Sequence, residues 1–193
     1  MGGPLDFVAI EDLRRQFEVN VIGQVAVTQA LVGLLRARPG SRTVFVSSVG
    51  SRVSAPFFGP YAASKRAVNA LGDSWRRELE PWDIRVSVLI VAPAATPSWA
   101  KASKALEELR HGLPPRGLVL YGDALSKVAL YVDTKAPASA IDVETVVCVA
   151  VRAIDGRRPR ATYLVGHQTR VGVMLSTVLP TRVFDALLRA HLR

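Results

Sequence analysis

The sequence predicts an α/β fold built on a parallel sheet with helices on both faces. One reason is the presence of short, predominantly apolar runs of strand length, Thr43 to Ser47, Ile84 to Val91 and Ala161 to Val165. Strands buried on both faces read this way, whereas a half-exposed strand alternates. A second is that segments with apolar residues three and four apart lie between and around those runs, as in alternating helices and strands. A third is composition. The chain has 193 residues, 49% hydrophobic and 21% charged, which suits one folded domain of roughly 100–200 residues and excludes intrinsic disorder. The 14 glycines exclude a collagen-like chain, and the single cysteine excludes an intramolecular disulfide. One cysteine is the usage expected of a reducing cytoplasm.

In chain order, residues 10–38 read as one long helix, with Leu13, Phe17, Val21, Val25, Thr28, Leu31 and Leu35 at helical intervals. Pro39-Gly40 ends it. The run Thr43 to Ser47 is the first strand, and a Gly-, Ser- and Pro-rich loop follows to Pro60. Residues 61–80 form the second helix, with Ala62, Ala63, Ala67, Ala70 and Leu71 as a small-residue face, and Pro81 closes it. The second strand, residues 84–91, ends before Pro93. Helices are expected at 98–110 and 120–134, separated by the loop 111–117, and at 142–154 with Asp142 as N-cap. The third strand is 161–165, and the chain is helical from Val171 onward with a break at Pro180. No uninterrupted apolar stretch approaches the ~20 residues of a membrane span, and the N-terminus has no basic-apolar-small signal pattern.

Tyr61-Ala-Ala-Ser-Lys65 opens the second helix. Positions four apart share a helix face. A free tyrosine, with a pKa near 10, is a poor base at neutral pH, and a nearby ammonium favours the phenolate. Such a pair is suited to moving a proton to or from an alcohol or carbonyl oxygen. Alone, the spacing is a common surface coincidence. Its context is more specific, because Ser47-Ser48-Val-Gly50 ends a buried strand, and open α/β sheets bind ligands at that end. Upstream, Asn20 and Gly23 interrupt an apolar helix where both lower helix propensity. A locally bonded Asn20 and a packing role for Gly23 are the simpler structural readings.

These residues resemble the short-chain dehydrogenase/reductase family. The matching motifs are Phe17-Glu-Val-Asn20-Val-Ile-Gly23, Val44-Phe-Val-Ser47-Ser48-Val-Gly50, Gly59-Pro-Tyr61-Ala-Ala-Ser64-Lys65, and Arg85-Val-Ser-Val-Leu-Ile with Pro93. Thr162-Tyr-Leu-Val-Gly166 before an apolar basic helix is similar to a branch acting on retinol- or steroid-like alcohols. The resemblance implies a Rossmann-like doubly wound parallel sheet and an NAD(P)-dependent oxidoreductase interconverting alcohol and carbonyl groups on a small lipophilic substrate. Tyr61 would be the general acid/base. Lys65 would favour its phenolate and hold the nicotinamide ribose, Ser48 would orient the substrate oxygen, and Asn20 would place a water in a relay to Lys65. Pro93 and Thr96 would contact the nicotinamide of NAD or NADP. The resemblance also implies homo-oligomers through the two long helices, 10–38 and 61–80.

The sequence departs from the family in two places. The family's T-G-x-x-x-G-x-G turn, which cradles the cofactor pyrophosphate, does not occur, so the expected sheet is incomplete, with the first βαβαβ half absent. The expected organisation is one partial domain over 1–193, its catalytic part at 1–100 and its substrate-loop and C-terminal part at 101–193. Second, Ala92-Pro93-Ala94-Ala95-Thr96-Pro97 carries alanine where the family has Pro-Gly. Three readings therefore stand: an oxidoreductase, a truncated non-catalytic fragment or dimerising subunit, and, more weakly, a basic surface-binding protein drawn from the net charge of +9.

The remaining features have plainer readings. Cys148, among Val146, Val147 and Val149, reads as a core residue. The three histidines lack metal-ligand spacing. Trp99 reads as packing ahead of a substrate-pocket wall. The net charge of +9 comes from scattered arginines with one cluster, Arg157, Arg158 and Arg160, and no interleaved aromatics, so a nucleic-acid partner is not expected. The segment from Val171 reads as packing on the domain ahead of lying on a membrane surface, because Pro180 interrupts its apolar stripe.

Overall fold

A computed structural model of the chain describes residues 2–191. Its elements in chain order are helix α1 (Ile10–Arg36), strand β1 (Arg42–Ser48), helix α2 (Gly59–Glu78) and strand β2 (Arg85–Val91). Then come α3 (Ser98–Gly112), α4 (Pro115–Leu130), α5 (Val143–Asp155), β3 (Thr162–Val165), α6 (His167–Val178) and α7 (Thr181–His191). The sequence places each of these within a few residues. The last two residues of the expected C-terminal helix, 192–193, lie outside the described residues.

The ends follow local chemistry. Glu11 and Asp12 sit in the first turn of α1, where the helix dipole favours negative charge. Pro60 occupies the first turn of α2, where no backbone N–H is needed. Asp142 caps α5 as expected, its side chain accepting from the Glu144 backbone N–H at 3.2 Å. Leu179 and Pro180 separate α6 from α7.

The three strands form a parallel sheet in the order β1-β2-β3. Ser48 pairs with Val91, and Val91 pairs with Val165, so the strands end level. Side chains alternate across the central strand. Val86, Val88 and Ile90 join Phe45 beneath Val68 of α2, with Val32 and Leu35 of α1 against the same core. Leu89 and Val91 join Val165 on the opposite face, under Val146, Val149 and Ala153 of α5. A separate cluster, Leu106, Leu113, Leu125, Val128 and Val132, holds α3 to α4 and takes in Phe7, Phe57, Phe58 and Trp99. Helix α2 lies very close to the sheet, since a Cβ on Gly72 would come within 2.5 Å of Val88 Cγ2.

Four expectations are corrected. The buried face of α2 is Pro60, Ala62, Ser64, Val68, Asn69 and Gly72, while Ala63 and Ala70 face outward. The close approach at Gly72 selects that face, which a tally of alanines does not reveal. Cys148 is exposed, because the sheet-facing stripe of α5 runs through Val146, Val149 and Ala153 and leaves Cys148 on the outer side. Among the described residues a Cβ on Gly23 would meet only the Glu18 carbonyl of its own helix, at 3.4 Å, so no close packing against another element calls for this glycine. Finally, α1 is by length and composition alone apolar enough to cross a membrane. Its charges cluster at the two ends, which a search for wholly apolar runs overlooks.

Candidate active site

The C-terminal end of β1 and the first two turns of α2 bring three of the predicted residues together. Ser48 is the last residue of β1, and its Oγ accepts a hydrogen bond from the Gly50 backbone N–H at 3.2 Å. That bond occupies a lone pair and leaves the Ser48 hydroxyl hydrogen for another acceptor. Tyr61 lies in the first turn of α2. A Cβ built on Gly50 would be 3.5 Å from Ser48 Oγ and 3.5 Å from Tyr61 Cε1, so Ser48 and the Tyr61 ring approach the same point and the glycine leaves the space between them open.

Lys65 follows one turn later. Its Nζ is 6.0 Å from the centroid of the Tyr61 ring and donates to the Val46 carbonyl at 3.1 Å. The side chain is half-buried, and burial holds its ammonium below the ordinary lysine pKa, since a low-dielectric site disfavours the charged form. One N–H is used on Val46, and an ammonium has three donors.

Asn20 sits in a wide turn of α1, Glu18–Ile22, where the Gly23 N–H reaches back to the Glu18 carbonyl. Such π-turns shift helix register locally and often mark functional positions. The Asn20 side chain is turned toward α2, its Nδ2 donating to Ser64 Oγ at 3.0 Å. Ser64 in turn donates to the Tyr61 carbonyl at 2.8 Å. Asn20 therefore reaches the first turn of α2 through Ser64.

Pro93 and Thr96 follow the end of β2, which is level with Ser48. The Pro93 carbonyl accepts from the Ile141 N–H at 2.8 Å, and the Ala95 N–H donates to the Ile141 carbonyl at 2.9 Å, tying this turn to the segment before α5. Thr96 is exposed and its hydroxyl pairs with Ser98. Trp99 packs in the α3–α4 cluster with its indole N–H on the Ala94 carbonyl at 2.8 Å.

The sequence reading missed Ser51 and Asn69, which are hydrogen-bonded to each other beneath the turn after Ser48. A signal for Asn69 was present, as it falls eight residues after Tyr61 on the same helix face. Also missed were two grooves. One, of about 780 Å³, runs between α1 and β1 and has Lys65 in its wall with Gly23, Thr28 and Val46. The other, of about 800 Å³, lies beside the loop after β1 and is walled by Pro4, Phe57, Tyr121 and Leu188. Phe57 holds a left-handed backbone, φ 68°, while its carbonyl takes the Gly3 N–H at 2.6 Å. That conformation is uncommon for a bulky residue and shows the loop is held by its surroundings.

Residues 1–107 match the model of the short chain dehydrogenase family. An NADPH-dependent 3-dehydrocapnine reductase of Ornithobacterium rhinotracheale is 31% identical over 195 residues, covering 99% of this chain and 66% of that protein. Retinol dehydrogenase 5 of Mus musculus is 31% identical over 190 residues, covering 96% of this chain and 59% of that protein. A solved short-chain dehydrogenase/reductase from Burkholderia phymatum in complex with NAD superposes with a TM-score of 0.71 at 23% identity, over 90% of this chain and 60% of that one. The chain thus spans 59–66% of the length of these relatives. The family match over more than half the residues, with the parallel three-layer fold beneath it, places the chain in the short-chain dehydrogenase family of oxidoreductases.

Proposed function

We propose that this chain interconverts alcohol and carbonyl groups on a small lipophilic substrate with NAD or NADP, using Ser48, Tyr61 and Lys65. The observation that carries the reading is that Ser48 Oγ and the Tyr61 ring converge on one point, each 3.5 Å from where a Gly50 Cβ would stand, with the half-buried Lys65 ammonium one turn behind. In carbonyl reduction, the Ser48 hydroxyl hydrogen binds the substrate oxygen and fixes it over Tyr61. The Tyr61 phenol gives its proton to that oxygen as negative charge develops there, and takes a proton back in alcohol oxidation. Lys65 stabilises the phenolate left on Tyr61. Asn20, through Ser64, steadies the turn that carries the tyrosine.

The nicotinamide cofactor supplies the hydride. The residues fit its ribose end: Lys65 keeps donors beyond the one used on Val46 and lies near Tyr61 at the ligand-binding end of the sheet. Pro93 and Thr96 emerge at the same end and would contact the nicotinamide. The sequence contains no Gly-rich T-G-x-x-x-G-x-G turn to cradle the pyrophosphate, so no phosphate contact is assigned. Phe57, Tyr121 and Leu188 give the second groove an apolar wall for a lipophilic substrate beside the loop that follows Ser48. In this reading residues 1–100 carry the chemistry and 101–193 the substrate side, copies associate through α1 and α2, and the protein works in the cytoplasm.

Fluorescence titration of the purified chain with NADH and NADPH tests the reading. Saturable binding of at least one is expected, weakened by Lys65→Met. Absence of binding to both at about 1 mM, the upper end of ordinary Michaelis constants, would overturn it for this chain.

A further inference from the structure

Ser51 and Asn69 lie outside the set just described, and both are buried, at 0% and 8% exposure. Asn69 Nδ2 donates to Ser51 Oγ at 2.8 Å, and Ser51 Oγ donates to the Ser48 carbonyl at 2.6 Å. The direction of this chain is fixed by donor count. A serine has one hydroxyl hydrogen, and that of Ser51 is spent on Ser48, so Ser51 can only accept from Asn69. The amide group of Asn69 therefore faces Ser51 with its nitrogen.

We propose that Ser51 and Asn69 are positioning residues for Ser48, a proposal that rests on the oxidoreductase reading given above. Tyr61, Lys65 and Asn69 follow one another at intervals of four along one face of α2. The helix that carries the acid/base group thus also grips the turn that carries Ser48. Residues 49–51 form one short 3-10 turn, and a strand end leading into a loop is otherwise free to pivot. The Ser51 bond fixes the Ser48 carbonyl, the Gly50 N–H fixes its Oγ, and Asn69 ties the turn to α2. The distance between Ser48 and Tyr61 is then set by the helix and not by the loop.

Stability alone does not account for Asn69. Its Oδ1 is buried and has no hydrogen-bond partner among the described residues. A buried amide with one end unsatisfied forfeits much of what the other end gains. An apolar side chain of similar size removes the orphaned oxygen together with the donor, so its expected cost to folding is small, yet it cuts the tie to Ser51. Stability and positioning can thus be separated.

The experiment compares Asn69→Leu, Ser51→Ala and the double variant with the wild type by thermal melting, by limited trypsin digestion and by ketone reduction. Arg52 is exposed immediately after the turn and is the reporter cut site. Losing a hydrogen bond of this kind opens the turn, and cleavage after Arg52 is expected to rise about tenfold in each single variant and little further in the double. Melting of Asn69→Leu is expected to stay near the wild type. The turnover number should fall by about the same factor, with the cofactor KM unchanged. If Asn69→Leu does not fold, Ser51→Ala carries the comparison. Unchanged Arg52 cleavage in folded variants would overturn the proposal whatever the activity does, and faster cleavage with an unchanged turnover number would overturn it as well. A wild type that reduces no ketone would instead sink the oxidoreductase reading, while the cleavage rates still decide whether Asn69 holds the Ser48 turn.

Discussion

Asn20 of α1 and Ser64 of α2 are joined by a 3.0 Å side-chain hydrogen bond across 44 positions of sequence. Ser64 is fully buried, and its own hydrogen is already committed to the Tyr61 carbonyl. Asn20 thus supplies the second half of a saturated hydroxyl. Asn20→Ala should lower the unfolding free energy by about 1 kcal/mol, the usual loss for one partly buried hydrogen bond. Urea unfolding measures this. A double-mutant cycle with Ser64→Ala should return a coupling of about 0.5–1 kcal/mol, and additive effects would show that the bond is not energetically significant.

Lys65 gives a pH prediction whose sign follows from burial. Its folded pKa lies below the unfolded value of 10.5 because burial disfavours the ammonium. Between those two values the unfolded chain binds more protons, so stability rises with pH through that window. At neutral pH the buried ammonium opposes folding. Lys65→Met should therefore melt at or above the wild-type temperature at pH 7, lose the alkaline rise in stability, and lose activity. Melting curves at several pH values from 7 upward check it, and a Lys65→Met protein less stable than wild type at pH 7 would contradict it.

Gly72 permits the contact that packs α2 on β2. A methyl group there would stand 2.5 Å from Val88 Cγ2, and Val88 is itself buried and stiff at χ1. Alanine in mid-helix gains about 1 kcal/mol over glycine in propensity, but overpacking a close-fitted core loses about 1–3 kcal/mol. Gly72→Ala is expected to be net destabilising in urea unfolding, and Gly72→Ala with Val88→Ala should recover part of the loss.

Val27, Leu31 and Leu34 recur along α1 and are all exposed. An apolar face of this kind is expected to drive self-association. Light scattering coupled to size-exclusion chromatography should find a dimer or larger species, and Leu31→Glu should shift it toward monomer. A monodisperse wild-type monomer would remove association through α1.

Much of this fold was legible because its central strand is buried on both faces, although the edge strand β1, expected to be buried, leaves Val46 exposed. Val86 to Val91 shows little alternation, and the neighbouring helices carry clear periodicity, so element type and order follow from pattern alone. The Tyr61–Lys65 face was legible because helix geometry fixes residues four apart. The partner of Asn20 was not legible, because no local rule links positions 20 and 64. The same holds for Asn69 and Ser51, whose meeting depends on how the turn after β1 folds back on α2. The outward face of Cys148 depends on which stripe of α5 meets the sheet, and valines on both sides of the helix hid that stripe.

The claim that Tyr61 handles the proton is tested most directly by the rate of NADH or NADPH oxidation by the wild type and Tyr61→Phe with a lipophilic ketone. Removing a general acid of this kind lowers turnover by about 10²–10⁴-fold, and the account predicts a loss in that range with unchanged melting. Equal rates in the two proteins would contradict it.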